Sequence, residues 1–169
     1  QGLVSLSCNR LYEQRELLVA TGYNHAVYGY ATDTNPRFLD AQVVSLPEAG
    51  ALVTAEVVSS VESKQEWLLL GGVGGLYGYA SHDGSGFGAI NGIDDLFVSE
   101  RSWKKIGDFS FVRKVIKDTS NENILYVVTF QGVYKVVANK NMFTTPQVEK
   151  VFDSSILGGR FDYVSDLFV

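Results

Sequence analysis

The stretch WLLLGGVGGLYGYA, residues 67–80, decides how this chain is read, because two other segments repeat its pattern: LVATGYNHAVYGYA at 18–31 and ILYVVTFQGVYKVV at 124–137. Each is an apolar run ending at glycine or a small polar residue, then a tight turn, then a second short run built around an aromatic, Tyr28, Tyr77 or Tyr134. Two such runs across a turn predict a β-hairpin. Strand-like segments flank every hairpin. GLVSLSC, LVTAEVVSS and FVRKVIKD precede the three, and AQVVSL, SWKKIGDF and QVEKVFD follow them, all rich in Val, Ile, Leu or Phe.

Each unit is therefore expected to hold four short antiparallel strands, with units over 2–46, 52–109 and 111–153. YVSDLFV at 163–169 takes the place of the first strand of a fourth unit. No segment sustains helical apolar spacing, so a βαβ arrangement fails and the class is all-β. Four-stranded units repeated about every 40–50 residues predict a partial β-propeller of three units plus one strand. Three such units leave two long strand edges, which proteins pair or cover. The expected partners are accordingly the remaining blades of a larger propeller or another copy of the chain. That the chain starts at Gln1 and ends on a first strand fits the same expectation of an incomplete ring.

Composition narrows the class further. An apolar fraction of 46%, with 10 Phe and 9 Tyr against 20% charged residues, describes a packed globular chain rather than a disordered one. No apolar run approaches the roughly 20 residues of a membrane helix, so no membrane span is expected. Cys8 is the single cysteine, which excludes an internal disulfide and a multi-cysteine metal site. The net charge of -5 is uneven: residues 1–100 carry 4 basic and 12 acidic groups, and residues 101–150 carry 9 and 4. An acidic chain disfavours nonspecific nucleic-acid binding.

At the second unit the sequence resembles the Asp-box repeats of sialidase-like and photosynthesis-assembly-type propellers. There an apolar strand, a Gly-rich turn and a Gly-Leu-Tyr strand lead into Ser-x-Asp and a later aromatic. GGLYGYASHDGSGF matches at Gly75, Leu76, Tyr77, Ser81, Asp83, Gly84 and Phe87, with the aromatic displaced by one residue. The other units lack the box, and the repeated signatures of WD40 and kelch propellers are absent. The resemblance implies that Ser81, Asp83 and Phe87 tie down a structural turn. It also implies that the turns between second and third strands, and the links between units, share one ligand-binding rim. That rim would present Tyr23, Asn24, His25, Gly72 to Gly75 and Gln131 from turns, and Glu48, Asp108, Arg160 and Asp162 from links.

His25, beside Tyr23 and Asn24, carries the residue type for acid, base or donor chemistry near neutral pH, while its plainer reading is a solvated turn residue. Asp83, Ser85, Asn91 and Asp94 fall at offsets that partly mimic a calcium loop, but Phe87 stands where a ligand belongs and strands flank the segment. No cofactor is expected. LGGVGG lacks the Lys-Ser/Thr and the helix start of a phosphate loop, and reads as a hairpin turn. The basic and aromatic run 101–118 has the mix that binds single strands, yet reads better as the outer face of strands. No catalytic set assembles from these residues. The expected function is thus a non-catalytic module for protein binding or scaffolding, and the alternative is part of a carbohydrate-active propeller, a glycoside hydrolase or lectin.

Overall fold

The repeated tyrosines set one register in three hairpins. Tyr28 pairs with Val19, Tyr77 with Leu70 and Tyr134 with Val127. A computed structural model of the chain describes residues 5–10, 16–32, 35–60, 65–80, 104–121, 123–139, 142–153 and 155. These form three four-stranded antiparallel sheets in which strand order follows chain order. The first holds β1 (Ser5–Arg10), β2 (Glu16–Thr21), β3 (His25–Thr32) and β4 (Asn35–Ser45). The second holds β5 (Leu52–Ser60), β6 (Gln65–Gly72), β7 (Gly75–Ala80) and β8 (Lys104–Lys105). The third holds β9 (Val112–Lys117), β10 (Ile124–Thr129), β11 (Gly132–Asn139) and β12 (Met142–Asp153). The expected all-β class and its antiparallel units are thus observed, and no helix of the described residues is long and apolar enough to cross a membrane. Residues 163–169, expected as a further strand, lie outside the described residues.

The sheets follow one another through their first strands: β5 lies against β1 and β2, and β9 against β5 and β6. Side chains alternate across a pleated strand, so one set of alternate residues can serve one neighbour. From the second sheet Val58, Trp67, Leu69 and Leu76 are buried against Val112, Val115, Leu125, Val127 and Val136 of the third, with Tyr134 packed on the cluster. Ile106 and Phe109, from the crossing between the two sheets, complete it. Burying one such side chain contributes roughly 1.5–3 kcal/mol, so this layer dominates the join.

Two elements differ from the expectation. Of the fourth strand of the middle unit, expected over 102–109, the described residues show strand at Lys104–Lys105 and leave strand geometry from 106 onward. Gly107 at φ 62 and Phe111 at φ 55 bend the chain out of strand geometry, which lets Ile106 and Phe109 point into the core. Conversely β12 is 12 residues long, because a bulge opposite Val133 and Tyr134 absorbs Val151 as an extra residue.

The hairpin from β9 to β10 is organised by Asp118. Its Oδ1 accepts the Ser120 backbone N–H (2.8 Å), the Ser120 hydroxyl (2.6 Å) and the Asn121 N–H (3.0 Å), and the Tyr126 hydroxyl donates to Oδ2 (3.3 Å). This is an aspartate turn, in which a side chain replaces a backbone partner. These bonds, led by the Ser120 hydroxyl, hold the Asp118 carboxyl below the usual carboxylate range.

Candidate functional site

Two six-residue crossings, 46–51 and 106–111, carry the chain from one sheet to the next. Both run beside the turns that join second and third strands, and backbone hydrogen bonds stitch turns and crossings into one continuous rim. Asn24 N–H donates to the Gly50 carbonyl (2.7 Å) and Leu46 N–H to the Asn24 carbonyl (2.8 Å), and Tyr23 bridges Ala51. Val73 N–H donates to the Ala51 carbonyl (3.0 Å), Gly74 N–H to that of Ala49 (2.9 Å), and Phe111 N–H to that of Val73 (3.1 Å). The rings of Phe111 and Phe130 then meet at 4.3 Å, which joins the turn of the third sheet to the row.

The glycines of the middle turn follow from this stitching. A Cβ on Gly72 would strike the Ala51 carbonyl oxygen, and one on Gly74 would strike that of Glu48. GGVGG is thus a two-residue turn at Val73 and Gly74, pressed against the incoming crossing. The first turn is wider, with four residues between the closing pair Thr21 and Ala26. Asn24 makes that width possible: it adopts φ 57, which asparagine tolerates, and its Oδ1 accepts the Gly50 N–H (2.8 Å).

The repeated tyrosine also gains a role. Tyr77 donates to the Gly74 and Glu48 carbonyls at 3.3 and 3.4 Å, and Tyr134 meets Phe109 edge-on at 5.3 Å. Each therefore docks on the crossing that enters its own sheet. Burial, and then the Glu48 charge, raise the Tyr77 pKa, so its hydroxyl keeps its proton as a donor.

Three large apolar side chains project from the rim, one near each turn: Tyr23 is 64% exposed, Val73 41% and Phe111 38%. Phe111 is the unusual one. A bulky residue at positive φ is strained by roughly 1–2 kcal/mol and persists only where its surroundings fix it. Here the Val73 carbonyl and the Phe130 ring hold it, and the Arg113 guanidinium lies 4.9 Å over Phe130.

Of the rim residues expected from sequence, Tyr23, Asn24, Glu48, Asp108 and Gln131 stand on this surface, with Asn24 half-buried and the other four exposed. His25 is half-buried: its ring lies over Gly22, and Nδ1 donates to the Tyr23 carbonyl at 2.6 Å, since a carbonyl can only accept. Arg160, Asp162, Ser81, Asp83, Phe87, Ser85, Asn91 and Asp94 lie outside the described residues. Val73 lies within the Gly72 to Gly75 stretch expected at the rim, whereas Phe111, Phe130 and Arg113 are rim residues that the sequence assigned to turns and strands without function.

Away from the rim, a cleft of about 410 Å³ lies between β5 and β9, lined by Glu56, Val58 and residues 114–119. Lys117 pairs with Glu56 across it at 3.0 Å, so its two walls are tied by an ion pair. Among the described residues no group of three or more His, Cys, Asp or Glu gathers as a metal site. A comparison with protein-family models finds no match, and a comparison with curated proteins finds none either.

Proposed function

We propose that the three sheets are successive blades of a β-propeller, and that the chain is a non-catalytic binding module whose rim engages a protein partner. The succession of first strands, β1, β5 and β9, supports the blade reading. The observation that carries the function is Phe111. A strained, exposed phenylalanine, backed by Phe130 and Arg113, shares the hydrogen-bonded rim with Val73 and Tyr23. Aromatic and arginine side chains dominate the energetics of protein interfaces, and pre-ordered ones cost little to immobilise.

The test uses a displayed peptide library selected on the immobilised chain. Enriched peptides are expected to lose at least about tenfold in affinity on Phe111→Ser, about 1.4 kcal/mol, and to bind Val148→Ser on β12 as they bind the parent. Equal binding to both variants would place the partner elsewhere and overturn the reading.

A further inference from the structure

The third sheet has two faces, and the strand register separates them. Val115, Val127 and Tyr134 form one row and Lys117, Leu125 and Val136 the next; the apolar members of both belong to the core shared with the second sheet. The opposite face carries three rows: Lys114, Val128, Val133 and Phe152; Ile116, Tyr126, Lys135 and Glu149; and Ile124, Val137 and Gln147. Seven of these eleven residues are apolar, whereas the outer face of a terminal antiparallel sheet ordinarily alternates to polar. Val128 and Val133 are buried, and Ile116, Ile124, Tyr126, Val137 and Phe152 are half-buried.

The same positions exist one unit earlier. With the tyrosines Tyr77 and Tyr134 superposed in register, Leu76 corresponds to Val133, and both directly precede the tyrosine. Trp67 and Leu69 on β6 are the residues that, with Leu76, the second sheet buries against the third. Their counterparts on the third sheet are Ile124 and Tyr126, on the outward face. The third sheet thus repeats, on its far side, the surface with which the second receives a neighbour.

We propose that this face is built to receive a further sheet, and that the occupant beside β9 is the segment 163–169 of this chain, which lies outside the described residues. The inference rests on the blade reading above. Its support is succession: each crossing leaves the fourth strand of one sheet and delivers a first strand onto the preceding first strand, β5 onto β1 and β9 onto β5. After β12 the chain runs nine residues and then reads YVSDLFV, with five apolar residues in seven. Nine residues exceed the six of the earlier crossings, so the reach suffices.

The experiment is cysteine crosslinking of the full chain in a Cys8→Ser background. Ile116→Cys is combined in turn with Val164→Cys, Ser165→Cys, Asp166→Cys, Leu167→Cys and Phe168→Cys, and treated with a short bis-maleimide at micromolar protein. Glu56→Cys with Lys117→Cys, which reports the contact of β5 with β9, is the control. An intramolecular product is expected at alternate positions of the segment, because tethering supplies an effective concentration on the order of millimolar. A control product with none from the five pairs, or only products between chains, overturns the docking and leaves the blade reading standing. Failure of the control as well overturns both. Hydrogen exchange on the cysteine-free chain gives a second measure: ending it at residue 162 is expected to speed exchange of β9 and β10 amides, and unchanged rates would also sink the inference.

Discussion

The two crossings solve one problem with different emphasis. Both are six residues long, both pass the Val73 turn, and both must leave a sheet without orphaning backbone groups. The first, 46–51, is clamped by polar groups: Asn24 gives and takes backbone hydrogen bonds with Gly50 and Leu46, and its side chain adds a third. The second, 106–111, drives Ile106 and Phe109 into the core and needs only two bonds to the middle sheet, at Leu76 and Val73. The first crossing buries Leu46 and Ala49 as well, so what sets it apart is the added Asn24 clamp. The second relies on its apolar plug, and strains Phe111 at the point where the chain must turn back into β9.

The contrast breaks first at Phe109. Phe109→Ala removes a buried ring and the edge contact with Tyr134, and is expected to cost about 3–5 kcal/mol in urea unfolding. A loss near 1 kcal/mol would mean that the second crossing is not held by its plugs. Next is Asn24→Ala, which deletes one hydrogen bond and places a β-carbon residue at φ 57; about 2 kcal/mol is expected. Asn24→Gly, relieved of the strain, is expected to recover roughly half of that.

Phe111→Gly sharpens the comparison rather than breaking it. Relief of roughly 1–2 kcal/mol of strain offsets loss of the Phe130 contact, worth about 0.5–1.5 kcal/mol, so stability is expected to move by less than about 1 kcal/mol. Peptide binding at the rim is nonetheless expected to fall at least about tenfold, a 1.4 kcal/mol change. A large loss of stability would show that Phe111 is structural.

The smallest effect concerns the end of β12, where the described chain carries another polar clamp. Lys150 donates to Asp153 Oδ2 at 2.7 Å and Ser155 N–H to Oδ1 at 2.9 Å. Chiefly through the lysine, the Asp153 carboxyl is held down at about 2. Its unfolded value is about 3.9, so this contribution is present above pH ~4 and is lost as the pH falls toward 2. Asp118, also lowered, acts in the same direction. Asp153→Asn is expected to flatten the acid limb of a stability–pH curve, and an unchanged slope would remove the clamp.

The hairpins were legible in the sequence because the apolar runs, turn residues and a fixed tyrosine are local signals. The backbone stitching of turns to crossings at Asn24, Val73 and Phe111 was not, because it joins residues distant in the chain. The short β8 was not: IGDF alternates like a strand, and only the packing of Ile106 and Phe109 against the third sheet decides otherwise. Phe111 was hidden for a sharper reason. Its conformation contradicts its own propensity and is imposed by Val73 and Phe130, residues distant in the chain. His25 attracted interest by residue type, yet its Nδ1 proton is committed to the Tyr23 carbonyl.

The rim stitching has a consequence for variation. Tyr23 and Val73 are held in place through main-chain atoms, and their side chains stand in solvent, Tyr23 for the larger part and Val73 for the smaller. What fixes the tips is therefore indifferent to what the tips display. Such a surface can be recoded residue by residue, by selection or by a protein engineer, to recognise new partners while the frame beneath it keeps its shape.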